Sequence, residues 1–124
     1  MNPRVSVVIA TYDRPALLLR CIDALLAQTL PAADYEIIVV DDGSPRATRE
    51  RLLAEFWTRR RRGRAATLRF LWLPVNRGPA AARNHGILAS RGAVIAFTDD
   101  DTRPAIGWLR EGLSALAGFV DGRA

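Results

Sequence analysis

The chain has 124 residues, of which 49% are hydrophobic and 25% charged, a balance typical of a globular domain and unlike that of a disordered or fibrous chain. This length fits one domain over residues 1–124. No apolar run reaches the roughly 18 residues that span a bilayer, and residues 1–4 contain no signal-peptide core. We therefore expect a cytoplasmic location. The single cysteine, Cys21, excludes an internal disulfide and a cysteine-rich metal site, which agrees with a reducing compartment. We expect Cys21 to be a small core residue.

The formal net charge is +5, and every one of the 18 basic residues is arginine. Much of the excess lies in residues 59–64 and at Arg69, while the carboxylates gather elsewhere. Such a run can contact nucleic acid or an anionic membrane surface. Because it contains no interleaved aromatic residues, a solvated loop is the preferred interpretation.

The first half of the chain predicts two strands, each followed by a helix. Residues 5–10, VSVVIA, are almost continuously apolar, which is typical of a central parallel strand buried on both faces. Pro15 suits the first turn of a helix that ends within residues 28–31. Residues 37–40 form a second buried strand, and residues 41–45 turn the chain into a second helix. The first helix has apolar residues at helical spacing, namely Leu18, Cys21, Ile22, Leu25 and Leu26. The second helix carries Leu52, Leu53, Phe56 and Trp57.

The second half repeats the pattern. Residues 68–73 predict a third strand, residues 80–90 an alanine-rich helix, and residues 93–97 a fourth strand. Pro104 is suited to open a last helix before residues 118–124 trail off. The apolar face of that helix is predicted to contain Ile106, Leu109, Leu113 and Leu116.

Alternating strands and helices with short connections predict an α/β fold, with a mainly parallel sheet flanked by helices. In such sheets, ligands bind beyond the carboxyl ends of the strands. The unusual polar residues follow three of the predicted strands, in residues 11–14, 41–44 and 99–101. We therefore expect these three loops to converge on one crevice.

The run AVIAFTDDDTRP places three carboxylates directly after a buried strand. Asp99 and Asp101 can both point toward one Mg²⁺ or Mn²⁺ ion, with Asp100 oriented differently or bonded to a ligand hydroxyl. Such ions complete their shell with substrate phosphate oxygens, so a diphosphate is the implied ligand. The alternative is an acidic turn that caps a helix starting near Pro104, and residues 41–44 have a similar alternative as a turn and N-cap.

The alanine-rich helix contains Arg83 and Asn84. An arginine that faces the crevice could hold a phosphate in bidentate fashion, whereas an exposed helix arginine is the alternative. His85 is the only histidine and receives no predicted role. Neither a P-loop nor a G-x-G-x-x-G stretch occurs, so the nucleotide must be held differently.

Four blocks of this sequence resemble family 2 glycosyltransferases with the GT-A fold. They are VSVVIATYDRP, EIIVVDDGS, NRGPAAARNHGILASRGAVIAFTDDDTRP and the Trp-Leu pair at 108–109. The blocks run in family order over nearly the whole chain, and four together are specific although each alone is modest. The resemblance implies inverting transfer of a sugar from a UDP-, GDP- or TDP-sugar to an acceptor hydroxyl, assisted by Mg²⁺ or Mn²⁺ at a D-x-D motif.

The resemblance also implies site residues. It places the nucleotide base near the first two loops, the diphosphate above the alanine-rich helix, and the ribose and metal at the D-x-D loop. In this sequence the implied nucleotide-sugar-binding residues are Thr11, Tyr12, Arg14, Asp41, Asp42, Arg83, Asn84, Asp99 and Asp100, and the implied metal ligands are Asp99 and Asp101.

Family members continue beyond this point with strands that shape the acceptor pocket and supply the general base. Glu111 and Asp121 have no family match for that base, so the sequence predicts the donor-binding half of the fold and leaves both the base and the acceptor unassigned. A non-catalytic nucleotide-sugar-binding or protein-interaction module is the alternative. Peripheral membrane contact and pairing of copies through an exposed sheet edge stay open, whereas nucleic-acid binding is disfavoured.

Overall fold

The computed structural model describes residues 2–62 and 66–120, and the side chains of residues 2–62 and 66–118. Within these residues four strands alternate with four α-helices, and every strand pair is parallel, which confirms the predicted α/β class. The elements are β1 (Val5–Thr11), α1 (Pro15–Leu26), β2 (Tyr35–Asp41), α2 (Arg46–Arg60), β3 (Thr67–Trp72), α3 (Pro79–Ala89), β4 (Val94–Phe97) and α4 (Trp108–Val120), with a short 3₁₀ turn at Ala32–Asp34.

Strand β1 lies inside the sheet, whose strand order is β3-β2-β1-β4. All but one of its side chains are buried, as predicted for a central strand covered on both faces. It pairs with β2 along its whole length, from Val5 opposite Tyr35 to Thr11 opposite Asp41. Its pairing with β4 stops at Val8, so β1 extends three residues beyond the end of β4.

Helices cover both faces of the sheet because the inner strands alternate their apolar side chains between the two sides. Cys21 lies in the larger core cluster, as predicted, whereas Leu53 and Trp57 of α2 are exposed. The larger cluster includes Val5, Val7, Ile9, Ile37 and Val39 of the strands with Leu18, Ile22 and Leu25 of α1 and Leu52 and Phe56 of α2. The smaller cluster on the other face contains Ile38, Val40, Leu73 and Ala82.

The last helix begins at Trp108 and not near Pro104. Its start is determined by a distant side chain, because Gln28 accepts the backbone N–H of Leu109 over 3.0 Å and donates to the carbonyl of Ala105 over 2.7 Å. Ile106 therefore lies before the helix and is exposed, and Leu116 is also exposed, which corrects the predicted apolar face. Among the described helices, none is long and apolar enough to cross a membrane.

Both predicted capping roles are wrong. Residues 102–107 separate the aspartate triplet from the start of α4, so the triplet does not cap that helix. Helix α2 is preceded by Pro45 and has no side-chain cap, so Ser44 does not serve as its N-cap. The polar side chains in these loops therefore have other partners.

The arginine-rich segment is only partly a loop. Arg59 and Arg60 form the last turn of α2, and residues 63–65, including Arg64, lie outside the described residues. Arg59 is buried and forms ion pairs with Asp23 at 2.8 Å and Glu55 at 2.6 Å. The predicted solvated loop is thus wrong for these two residues, because the helix continues and Arg59 joins α2 to α1.

A buried polar cluster lies at the amino end of the sheet. Glu36 accepts hydrogen bonds from Ser6 Oγ at 2.6 Å, from the backbone N–H of Arg91 at 2.8 Å and from Arg69 at 3.1 Å. Burial opposes ionisation of this carboxyl, but these hydrogen bonds outweigh it and lower the pKa of Glu36 below its ordinary 4.5. The cluster joins β1, β2 and β3 to the loop after α3.

Replacement of Glu36 by glutamine should destabilise the protein by about 1–3 kcal/mol at neutral pH. Because folding lowers the pKa of Glu36, its stabilising contribution is present above its ordinary value of 4.5 and is lost as the pH falls through the folded-state value. The difference in urea midpoint between wild type and Glu36→Gln should therefore shrink as the pH falls below this range. An equal difference at neutral and acidic pH would contradict this assignment.

Helix α3 approaches β1 closely at Gly86. A Cβ atom there would lie 2.4 Å from Val8 Cγ1, and Val8 is buried in the central strand. We expect Gly86→Ala to lower the free energy of unfolding by about 1–3 kcal/mol, because the helix or strand must shift. Gly112→Ala is the matched control, since a Cβ there has no atom within 4 Å and alanine favours the helix by up to about 1 kcal/mol. Urea denaturation should show a lower free energy of unfolding for Gly86→Ala and an unchanged or higher one for Gly112→Ala.

Candidate functional site

Two cavities open at the carboxyl edge of the sheet, where the sequence predicts a crevice. The first has a volume of about 580 Å³ and the second of about 640 Å³. The first is lined by Ala10, Thr11, Tyr12, Asp13, Arg14, Asp42, Asn76, Gly78 and Pro79. The second is lined by Arg83, Phe97, Thr98, Asp99, Thr102, Arg103, Pro104 and Trp108. The predicted convergence of loops is therefore present in the fold.

Asp100 is bonded to two residues of the first cavity, and its chain neighbour Asp99 lines the second cavity. The side chain of Asp100 is only 1% exposed and accepts from Thr11 Oγ1 at 2.8 Å and from Arg14 Nε at 3.2 Å. A second guanidinium nitrogen of Arg14 binds the other carboxylate oxygen, so the ion pair is bidentate. Asp100 thereby fastens the loop after β4 to the end of β1.

Asp99 and Asp101 flank this buried carboxylate and are both exposed. Asp99 lines the second cavity, and Asp101 lies 4.0 Å from Arg14 at its nearest ion-pair contact. In the described part of the chain, no group of three or more histidine, cysteine or acidic side chains is placed to hold a metal. The carboxylate oxygens of Asp99 and Asp101 are donors of the type that a magnesium-type ion takes together with water and substrate phosphates.

The loops after β1 and β2 are linked through Ser44. Its hydroxyl donates to Asp41 and accepts the backbone N–H of Asp13 over 2.8 Å. Asp13 has a φ of 48°, in the left-handed region that few non-glycine residues adopt, and Thr48 donates to its carboxylate over 2.6 Å. These contacts hold residues 11–14 in one conformation at the mouth of the first cavity.

Asp41 lies fully buried beneath the same loop. Burial raises the pKa of the Asp41 carboxyl, although its hydrogen bonds with Ser44 oppose that change. One carboxylate oxygen, Oδ2, has no hydrogen-bond partner among the described residues. This orphaned buried oxygen is unusual and marks Asp41 as a residue with unused hydrogen-bonding capacity at the site.

Asp42 holds the loop between β3 and α3. Its two oxygens accept the backbone N–H groups of Arg77 and Gly78, each over 2.9 Å. Gly43 beside it has a φ of 78°, and a Cβ atom there would lie 2.5 Å from the backbone nitrogen of Asn76. Only glycine fits this close crossing, so the DDGS block builds the floor of the first cavity as well as its acidic lining.

The structure brings most of the predicted residues to this edge, but not all of them. Tyr12 and Arg14 line the first cavity, and Arg83 lines the second together with Asp99. Asn84 is exposed on α3 and lines neither cavity. Arg103, which has no predicted role, lines the second cavity beside Arg83.

Cys21 lies under the aspartate loop. Its thiol contacts the carbonyl of Asp99 at 3.5 Å. Burial raises the pKa of the thiol to about 11, against a hydrogen bond with Thr102 that lowers it. The sulfur is therefore protonated at neutral pH and acts as packing beneath the loop, not as a thiolate ligand.

The family model for "Glycosyl transferase family 2" matches residues 6–120. The chain belongs to glycosyl transferase family 2. This membership confirms the resemblance given by the four sequence blocks. Among curated relatives of this family 2 chain, glycosyltransferase AglE of Haloferax volcanii is 38% identical over 116 residues, which cover 94% of this chain and 36% of the relative.

Solved structures agree with the family. The mannosyltransferase PcManGT from Pyrobaculum calidifontis, in complex with GDP-Man and Mn²⁺, has a TM-score of 0.80 and 27% identity, and the match covers 94% of this chain and 33% of that chain. S. aureus TarS 1-349 in complex with UDP-GlcNAc has a TM-score of 0.73 and 26% identity, covering 98% and 32%. The family 2 chain thus spans about a third of the length of these proteins.

Two side chains that shape the crevice, Asp13 and Ser44, carry no sequence prediction as site residues. The available signal was their position in polar runs that follow buried strands. Asp is also among the residues that tolerate a positive φ. The bond from Ser44 to the loop after β1 depends on strand register and could not be read from either run alone.

The Asp100 ion pair can be tested through stability. Arg14→Gln leaves the buried carboxylate with Thr11 as its remaining partner, and we expect a loss of about 1–3 kcal/mol in the free energy of unfolding. Arg20→Gln is the control, because Arg20 is exposed on α1 and forms no ion pair within the described residues. That substitution should change stability by less than about 0.5 kcal/mol. Equal urea midpoints for the two variants would contradict a structural role for the pair.

Proposed function

We propose that residues 1–124 form the donor-binding half of a family 2 glycosyltransferase, which binds a nucleoside diphosphate sugar and a divalent cation. The observation that carries this proposal is the aspartate triplet. Buried Asp100 fastens the loop, while exposed Asp99 lines the second cavity and exposed Asp101 lies 4.0 Å from Arg14 of the first. The solved relatives bound to GDP-Man with Mn²⁺ and to UDP-GlcNAc support this donor class.

The nucleoside is proposed to occupy the first cavity. Tyr12 is exposed at its mouth and offers an aromatic face to a base, and Arg14 lies beside it. Asp42 lines the floor and keeps accepting capacity on its carboxylate oxygens. Thr11 and Asp41 act from beneath, Thr11 by holding Asp100 and Asp41 by holding Ser44.

The diphosphate is proposed to lie toward the second cavity. Arg83 and Arg103 line it together with Asp99 and provide positive charge for phosphate oxygens. Asn84 follows Arg83 on α3 and is assigned to this region on the family resemblance. Asp99 and Asp101 would hold Mg²⁺ or Mn²⁺, which when bound supplies positive charge to a diphosphate leaving group.

Transfer itself needs more than donor binding. Inversion requires a base that removes the proton of the acceptor hydroxyl while that oxygen attacks the anomeric carbon and the nucleoside diphosphate leaves. Among the described residues, the carboxylates that line the two cavities are Asp13, Asp42 and Asp99, and Glu111 lies exposed on α4. None of them matches the family base, and Asp121 lies outside the described residues. The second candidate is a module that binds the donor without transferring the sugar.

Calorimetric titration tests the donor site. Mn²⁺ should strengthen binding of UDP, GDP or TDP sugars to the 124-residue chain, because the cation offsets repulsion between the diphosphate and the aspartates. Asp101→Asn should remove most of that metal-dependent gain, about ten-fold or more in affinity. Glu50→Gln is the matched control, since Glu50 is exposed on α2 and pairs only with Arg46 in the described structure.

The outcomes separate the candidates. Absence of nucleotide binding, or binding that ignores both Mn²⁺ and Asp101→Asn, would overturn the proposed site. Release of nucleotide from a sugar donor above the rate without protein would exclude the non-catalytic module. Binding without release or transfer would support it.

A further inference from the structure

Helix α2 presents a flank that the candidate site does not use. Arg49, Leu53, Trp57 and Arg61 follow one another at four-residue spacing and therefore share one side of the helix. Trp72 at the end of β3 lies next to this row, with Arg49 5.6 Å from its ring centroid. We call these five residues the arginine–tryptophan face. Trp57 is 61% exposed and Trp72 46% exposed, which is unusual for so large an apolar group.

The charge of the chain is concentrated on the same helix and the two arginines that follow it. Residues 46–62 contain seven arginines and two glutamates, a net charge of +5, which equals the formal net charge of all 124 residues. The rest of the chain is therefore neutral as a whole. Arg46 and Arg59 have carboxylate partners, whereas Arg49 and Arg61 form no ion pair within the described residues. The face thus combines exposed aromatic area with two cations that form no ion pair in the described structure.

The interleaved aromatic residues come from the fold and not from the arginine run. Arg61 lies over the ring of its helical neighbour Trp57 at 5.8 Å, and Trp72 is supplied by the adjacent strand. The arginine run has no aromatic residue of its own within residues 59–64, but the fold places Trp57 and Trp72 beside arginines of α2 and its C-terminal end.

The contacts of the tryptophans favour a lipid surface over a nucleic acid. Single-stranded nucleic acids bind through bases that stack on open aromatic faces. Here Arg49 lies 5.6 Å from the centroid of the Trp72 ring, and Arg61 lies 5.8 Å from that of Trp57. A guanidinium group therefore occupies one stacking position on each ring, and Phe70 also packs near Trp72. At a bilayer surface, by contrast, a tryptophan ring inserts its apolar part into the headgroup region and does not need an open stacking face. Arginine then lies beside the lipid phosphates.

Pairing of β3 with a strand from a second copy of the chain is also disfavoured. β3 is the end strand of the sheet, and its outer backbone would be the site of such pairing. Arg60 reaches across from α2 and donates to the carbonyl of Leu68 over 2.8 Å. The side chain therefore covers part of the open edge.

We propose that the arginine–tryptophan face docks on an anionic phospholipid bilayer, with Trp57 and Trp72 at headgroup depth and Arg49 and Arg61 against lipid phosphates. Trp72 pairs in register with Asp41, so the face begins beside the candidate site. A chain docked in this way holds its crevice next to the membrane surface.

Vesicle co-sedimentation of the 124-residue chain tests this surface. Vesicles of phosphatidylcholine with about one third phosphatidylglycerol should bind the chain, more weakly as salt rises, and pure phosphatidylcholine vesicles should bind it little. Arg61→Glu should weaken binding at least about five-fold. Arg91→Glu is the control of equal net charge, because Arg91 is exposed between α3 and β4, away from the face, and should change binding less than about two-fold.

Tryptophan fluorescence gives a second readout that does not depend on charge. Brominated phosphatidylcholine within the same anionic vesicles should quench the wild-type chain and the Trp108→Phe variant. A chain with both Trp57→Phe and Trp72→Phe keeps Trp108 alone, which is half-buried at the second cavity, and should lose most of the quenching. Circular dichroism confirms that each variant is folded before it is compared.

Several results would overturn the proposal. Equal effects of Arg61→Glu and Arg91→Glu would show a general charge effect. Weaker binding of a single-stranded oligonucleotide by Arg61→Glu with vesicle binding unchanged would assign the face to nucleic acid. A sedimenting dimer that Trp57→Ala dissociates, without a change in vesicle binding, would assign it to a contact between copies.

Discussion

The ion pair between buried Asp100 and half-exposed Arg14, completed by Thr11, is the contact on which the candidate site depends. β1 runs three residues past the end of β4, so part of its edge has no neighbouring strand. The loop after β4 fills this gap with a carboxylate instead of a ladder of backbone hydrogen bonds. A charge that is 1% exposed is tolerated only with such partners, and this requirement orients the loop. Its neighbours, Asp99 and Asp101, are then left facing solvent.

Much of the fold could be predicted because the strands are continuous apolar runs that have no stable alternative to burial. The sequence VSVVIA indicates a central strand, and β1 is one. The start of the last helix could not be predicted in the same way. Pro104 is compatible with a turn as well as with a first helical turn, and Gln28, distant in sequence, decides between them by accepting the N–H of Leu109. Long-range hydrogen bonds of this kind leave no periodic signal.

The candidate site was predictable at the level of loops and less so at the level of side chains. Polar residues after parallel strands must meet at one edge, whatever their individual contacts. Which of three successive aspartates is buried depends on the position of Thr11 across the sheet, and the run DDD by itself does not contain that information. The positive φ of Asp13 is likewise imposed by contacts with Ser44 and Thr48, which belong to the next βα unit.

Because the chain contains no lysine, the positive charge on α2 is carried by arginine alone. Every cation on that helix is a guanidinium, which stays protonated throughout the physiological pH range. Acetylation of lysine, a common way to remove positive charge from a protein surface, has no target anywhere in the chain. The distance over which α2 attracts anions is instead set by ionic strength, with a screening length of about 8 Å under physiological conditions. Helix α2 therefore carries a constant charge whose influence on anions varies with the surrounding salt.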